Sequence, residues 1–221
     1  YRVYEVLWHL SHHIENSLRQ AGFANLHPEP FYGPGHAQRL SNADSGPIVA
    51  NSPNVWDPRK LRDRVLGALS PMAAALGRPQ VYAKRPGVTL GIVSRIADIK
   101  KFPELFGILS PVIAKFPSVW LEVFGKGGYA SVRDFRRSLE PIRDRVRFWG
   151  HQEDVGRIYP LMDYLMTGLP EREGFGMNVV EALYCGTPVL APDGPPFDEN
   201  VATGKTGYLY PDPRKDGGAG F

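Results

Sequence analysis

Cysteine is almost absent from this 221-residue sequence. Cys185 stands alone, which excludes an internal disulfide framework and suits a reducing compartment such as the cytoplasm. At the end of an amphipathic stretch, it reads as buried packing. Long hydrophobic runs are also missing. Nothing approaches the roughly 18 apolar residues of a membrane-spanning helix, because Pro103, Pro111 and Pro117 break the most apolar region. No signal peptide is visible, which leaves peripheral contact at the inner face of a membrane as the only membrane role considered. Nor is there a large excess of one charge. Lys and Arg number 26 against 23 Asp and Glu, a net charge of +3 without a sustained basic run. That balance suits an anionic ligand and calls for no nucleic acid. The content that remains, 43% hydrophobic and 22% charged, is that of a globular protein.

From Val88 onward, short apolar runs alternate with longer amphipathic ones. Strands are predicted at Val88–Ser94, Val119–Gly125, Arg145–Gly150, Tyr164–Gly168, Thr187–Pro192 and Gly207–Tyr210. Helices are predicted at Phe102–Phe116, with Pro103 in its first turn, at Ser131–Leu139, near Glu153–Tyr159, at Gly176–Cys185 and near Phe197–Val201. This alternation means a parallel α/β sheet covered on both faces, doubly wound, with ligands at the carboxyl ends of its strands. The first part of the chain differs. It reads as one helix from Tyr1 to Ala21, a loop rich in Pro and Gly from Asn25 to Pro47, a strand at Pro47–Pro53 and a helix at Pro58–Leu76. Residues 1–86 are therefore expected to be a partial N-terminal α/β domain plus linker, and residues 87–221 one complete domain. The start at Tyr1 and the glycine-rich tail read as the ends of a piece of a longer chain.

The densest chemistry lies in REGFGMNVVEALYCGTPVLAP, Arg172 to Pro192. Glu173 precedes a turn made by Gly174, Phe175 and Gly176, and Glu181 lies in the helix that the turn opens. The helix start offers the amides of Gly176, Met177 and Asn178, and a positive dipole end, to a diphosphate. Glu181 leans back toward that end, as helical side chains do, and can accept from ribose hydroxyls. Glu173 can reach a sugar. Together they make a plausible grip on a sugar nucleotide.

The stretch from about Val88 to Pro213 resembles the donor-binding half of the retaining group 1 glycosyltransferases, which have the GT-B fold. The likeness rests on VSRIADIKKFPELF, VWLEVFGKGG, VRFWGHQEDVGRIYPLMDYLM, EGFGMNVVEALYCGTPVLAP and VATGKTGYLYPDP, in that order. IVANSP, just after Pro47, resembles the end of the acceptor domain. The resemblance implies that Arg95 and Lys100 grip the donor diphosphate, with Lys101 standing where the family often has glycine. It implies that Glu173 orients the donor sugar and Glu181 the ribose. Backbone amides from Phe175 to Asn178 would take the phosphates, and the loop at Gly150 and His151 would lie against the base. It further implies sugar transfer with retention in glycan biosynthesis, from a nucleotide diphosphate sugar to a glycan, lipid or small-molecule acceptor. No resident cofactor is implied. The sequence has no Asp-x-Asp motif, and a helix dipole with two cations can neutralise a departing diphosphate, so no metal is expected either. The alternative is a nucleotide-sugar-binding module without turnover of its own, since an intact two-domain enzyme needs about 350 residues at ~100–200 per domain plus linkers.

Rival readings are weaker. A glycosidase needs its two carboxyl groups facing across a cleft, whereas Glu181 lies in the helix that follows Glu173. The Gly204–Thr206 triplet resembles a phosphate loop, but Glu199 stands where that loop requires glycine. Gly125–Gly128 reads as a tight turn, at most a wall of the donor cleft. His9 and His13, one helical turn apart with His12 and Glu15 nearby, have zinc-ligand spacing, but an ordinary helix face is the commoner use. The arginines between Arg133 and Arg147 read as a solvated helix face and strand edge.

Overall fold

The computed structural model describes residues 11–26, 28, 46–76 and 80–221, without side chains for residues 70–76. Its centre is a six-stranded sheet. The strands are β2 (Val88–Val93), β3 (Val119–Phe124), β5 (Val146–Gly150), β6 (Tyr164–Met166), β7 (Val189–Pro192) and β8 (Gly207–Tyr210). They lie in the order β5-β3-β2-β6-β7-β8, and every neighbouring pair is parallel. Counted within the sheet, that is third-second-first-fourth-fifth-sixth, so the winding reverses between β2 and β6. A crevice forms at such a reversal, outside the carboxyl ends of the strands, because the two connections leave in opposite directions.

The central strands are apolar on both faces, as burial beneath two helical layers demands. β2 is buried from Thr89 through Val93. One layer holds α3 (Phe102–Ala114) and α4 (Tyr129–Ser138). In α3 the buried residues Phe102, Leu105, Phe106, Leu109 and Ile113 recur at helical spacing, and Pro103 occupies the first turn, where its missing N–H costs nothing. The Arg145 guanidinium closes the other end, donating to the carbonyls of Ala114 at 3.3 Å and Ile113 at 3.4 Å. The other layer holds α5 (Met177–Tyr184), whose Val179 and Ala182 pack with Trp149, Tyr159, Leu165 and Val189. The one carboxylate inside the sheet, Glu122 on β3, is satisfied by Arg85 at 2.8 Å and Trp149 at 2.6 Å.

Around the sheet lie α1 (His12–Gln20), α2 (Leu61–Leu76), the short helices α6 (Phe197–Asn200) and α7 (Pro213–Asp216), and a two-stranded ladder of β1 (Asn54–Val55) with β4 (Gly127–Gly128). No helix among the described residues is long and apolar enough to cross a membrane.

Three expectations are corrected. The segment Pro47–Pro53 is no strand; it makes one antiparallel bridge, Val49 to Val81, before β1. No α-helix forms near Glu153–Tyr159. A turn leads into a 3₁₀ helix at Tyr159–Leu161, because Gly156 weakens the segment and Pro160 withholds an amide. Val155, Ile158 and Tyr159 have helical spacing, yet they reach the core from that turn. The helix expected from Tyr1 is described from His12 onward, and residues 1–10 lie outside the described residues.

Candidate functional site

The crevice at the winding reversal is built from the loop after β2 and the loop after β6. The first carries Arg95, a 3₁₀ turn at Asp98–Lys100, and Lys101 with φ 55°, which starts α3. The second runs through a 3₁₀ turn at Pro170–Arg172 to Glu173 and the glycine turn. The loops are stitched together by the Leu169 N–H, which donates to the Lys100 carbonyl at 3.2 Å. Gly168 allows that approach, since a Cβ there would sit 2.2 Å from the same oxygen.

Across this seam the Lys100 ammonium forms an ion pair with one oxygen of Glu173. The other oxygen accepts from the Gly176 N–H at 3.1 Å. Both side chains are mostly shielded, at 19% and 14% exposure, so their attraction is screened less than that of a surface pair. Gly176 has φ 77°, the left-handed conformation that lets the turn swing directly into α5. No acceptor among the described residues takes the N–H of Met177 or Asn178. The Asn178 side chain donates to the Val93 carbonyl at 3.2 Å and thereby ties the start of α5 to the end of β2.

One turn into α5, Glu181 is part-exposed, and one of its oxygens accepts from the Tyr159 hydroxyl at 2.7 Å. Burial, and after it the Glu181 charge, hold the Tyr159 phenol far above its usual pKa, so it remains a neutral donor. Burial also pushes the Cys185 thiol up, away from the reactive thiolate.

On the far side of β2, Arg95, Lys126 and His151 line a hollow of about 250 Å³ floored by Val93 and Phe124. Lys126, His151 and Gln152 also border a larger hollow of about 610 Å³ that extends toward Asn51 and Ser52. Gly150, with φ 67°, turns the chain there, and its carbonyl accepts from the Gly125 N–H at 2.7 Å. Arg95 and Lys126 are exposed, and neither has a carboxylate partner among the described residues.

The glycine turn is buttressed from outside. Ser11, fully buried, caps α1 and donates its hydroxyl to the Gly174 carbonyl at 2.9 Å. Glu199 on α6 accepts from the His12 and His13 N–H groups at 3.0 and 2.8 Å. Asn200 donates to the Phe175 carbonyl at 2.7 Å. With both carbonyls engaged, the peptide planes of the turn are fixed.

The family model of the glycosyl transferases group 1 matches residues 83–218, which is more than half of the sequence. The chain belongs to that family. This group 1 chain is 27% identical, over 117 residues, to an N-acetyl-alpha-D-glucosaminyl L-malate synthase of Bacillus anthracis, covering 53% of the chain and 30% of the relative. It is 30% identical, over 130 residues, to a phosphatidyl-myo-inositol mannosyltransferase of Mycobacterium tuberculosis, covering 58% and 34%. Among solved structures, Anabaena HepE in complex with UDP and glucose superposes with a TM-score of 0.62 at 20% identity, covering 93% of this chain and 49% of that one. The pneumococcal O-GlcNAc transferase GtfA in complex with UDP and GlcNAc gives 0.54 at 20%, covering 92% and 33%. These likenesses establish a GT-B-like α/β fold. The chain spans about a third of the length of the curated relatives it matches.

In this group 1 chain the fold brings Lys100, Glu173 and Gly176 into direct contact and places Glu181 in the following turn. Arg95 borders the other hollow, together with His151. The sequence reading took the Gly176 amide as open, whereas Glu173 occupies it. Gly174 and Phe175 offer the site their backbone, with carbonyls turned outward to Ser11 and Asn200. Sequence reasoning missed Lys126, Tyr159, Ser11, Glu199 and Asn200. Only Lys126 had a signal, since it lies among the glycines that follow a strand, where a tight turn was expected and β4 forms instead. The zinc reading involves His9, which lies outside the described residues.

Proposed function

We propose that this chain binds a nucleotide diphosphate sugar and, with the rest of its parent protein, transfers the sugar to an acceptor hydroxyl with retention and without a metal. The observation that carries this is the Lys100–Glu173–Gly176 contact at the winding reversal, beside the open N–H groups of α5. The diphosphate would sit at that helix start, where dipole and amides favour anions. Arg95 and Lys100 add positive charge from the β2 side. Glu173, released from Lys100, would turn its carboxylate to the sugar hydroxyls. Glu181, held by Tyr159 through one oxygen, keeps the other for the ribose. The hollow at Arg95, Lys126 and His151 would take the base. Uracil is the base we assign, because the likeness to HepE and GtfA, both seen with UDP, supports it.

In the reaction the anomeric C–O bond to the diphosphate breaks, and its electron pair leaves with the phosphate oxygen. The acceptor hydroxyl forms the new bond on the same face, and its proton passes to the departing oxygen. Peripheral membrane attachment belongs to this reading only if the acceptor is a lipid. Residues 1–86 would be the acceptor side and linker, and residues 87–221 the donor domain. The alternative is a binding module without turnover of its own.

Calorimetry with UDP, ADP, GDP and the corresponding sugar nucleotides tests the donor assignment. UDP binding that is lost in Lys100→Ala supports it, and no binding of any nucleoside diphosphate overturns it. Donor hydrolysis or transfer by this chain decides against the binding-module reading.

A further inference from the structure

We propose a second anion site, separate from the donor cleft, that binds a phosphate group in a groove along the outer edge of the sheet. β5 is the edge strand, and its first residues border a groove of about 390 Å³ whose wall includes Gln80, Arg136, Leu139, Arg143, Arg147 and Phe148. Arg136 lies over the Phe148 ring, 4.8 Å from its centroid, a cation–π contact. Arg143 is shared with Glu140 at 2.9 Å, the carboxylate that also borders the groove. Arg136 and Arg147 have no carboxylate partner among the described residues. Both arginines border this groove, and a bound anion offers each the partner it lacks.

The chemistry favours phosphate. Arginine presents a planar fork of donors that matches two phosphate oxygens, and the Gln80 amide adds a neutral donor. Leu139 and Phe148 give an apolar floor, which suits an organic phosphate better than a hydrated simple ion. Charge on an edge strand also prevents pairing with another chain. That role accounts for Arg147, but it requires neither the contact of Arg136 with the Phe148 ring nor a concave wall. The groove lies at the start of β5, whereas Gly150 and the donor cleft lie at its end.

Nitrogen-15 NMR with inorganic pyrophosphate as the probe tests this. The Arg136 and Arg147 Nε–H signals and the Phe148 amide are expected to shift saturably. The Gly174–Asn178 amides report the donor cleft separately, so failure of one site is distinguishable from failure of the other. Arg136→Ala with Arg147→Ala is expected to weaken the groove response about tenfold or more, from the loss of two charge-assisted bonds. Should that variant not fold, Arg136→Lys with Arg147→Lys, which keeps the charge but loses the forks, is expected to weaken it as well. Unmoved groove signals, an unchanged response in the variants, or equal shifts from sodium chloride at matched ionic strength would overturn the proposal. Flotation with phosphatidylglycerol-containing vesicles, lost in the variants, identifies a lipid headgroup as the source of the phosphate. A pyrophosphate response without flotation identifies a soluble phosphate.

Discussion

Lys100 and Glu173, one after β2 and one after β6, neutralise each other across the seam of the sheet. In the proposed function both have other partners: a diphosphate for the cation, sugar hydroxyls for the carboxylate. On that proposal the ion pair is a stand-in that a donor displaces. Lys100→Ala is expected to weaken UDP binding by about 1.5–3 kcal/mol, the size of a hydrogen bond to a charged group. Glu173→Gln is expected to leave UDP affinity equal or tighter, since it frees Lys100, while abolishing the preference for the sugar nucleotide over UDP. Calorimetry with both ligands checks the contrast, and equal losses in the two variants would count against the assigned roles.

Tyr159→Phe removes the donor that fixes Glu181. UDP affinity is expected to fall severalfold, with little change for a ribose-free probe such as pyrophosphate. Titration of both ligands against the variant separates a ribose contact from a general loss of packing.

Ser11 and Glu199 anchor α1 to the glycine turn. Ser11→Ala is expected to cost about 1 kcal/mol, as loss of a helix N-cap does. Amide exchange at Gly174–Gly176 should quicken in the same variant. Unchanged exchange there would mean that the cap does not steady the turn.

Gly168→Ala would drive a methyl group to 2.2 Å from the Lys100 carbonyl, a backbone atom with little room to yield. A loss of about 1–3 kcal/mol in stability is expected, typical of overpacking, together with weaker UDP binding because Lys100 is displaced. Denaturant unfolding and calorimetry measure the two effects.

Alkaline pH should unfold the chain. Burial holds the phenols of Tyr159 and Tyr210 far above the usual value of 10.0, and pushes Tyr82 up to about 12. The unfolded chain releases these protons first, so stability is full below pH 10 and falls as pH rises toward the folded values. Tyr210→Phe should reduce the alkaline loss at little or no cost at neutral pH, because its hydroxyl has no hydrogen-bond partner among the described residues. Unfolding followed by tyrosinate absorbance and circular dichroism gives the comparison.

Much of the fold was legible in order along the chain. The six strands of the sheet match six runs along the chain, and the central ones stand out because a strand buried on both faces is largely apolar. The region near Glu153–Tyr159 misled because Val155, Ile158 and Tyr159 repeat at helical spacing while Gly156 and Pro160 break the backbone between and after them. The α7 helix went unread, although Asp212 caps it and Pro213 starts it.

The sequence by itself determined what is local. Glu173, the glycine turn and the start of α5 lie within five residues, so their chemistry follows from neighbouring backbone geometry. Only the tertiary structure decided the rest. It reversed the winding between β2 and β6, joined Lys100 to Glu173, set Tyr159 on Glu181, and carried Ser11 to Gly174 across 163 positions. Such contacts depend on which strands lie side by side, and strand order is settled by the packing of whole layers, which no short stretch of residues encodes.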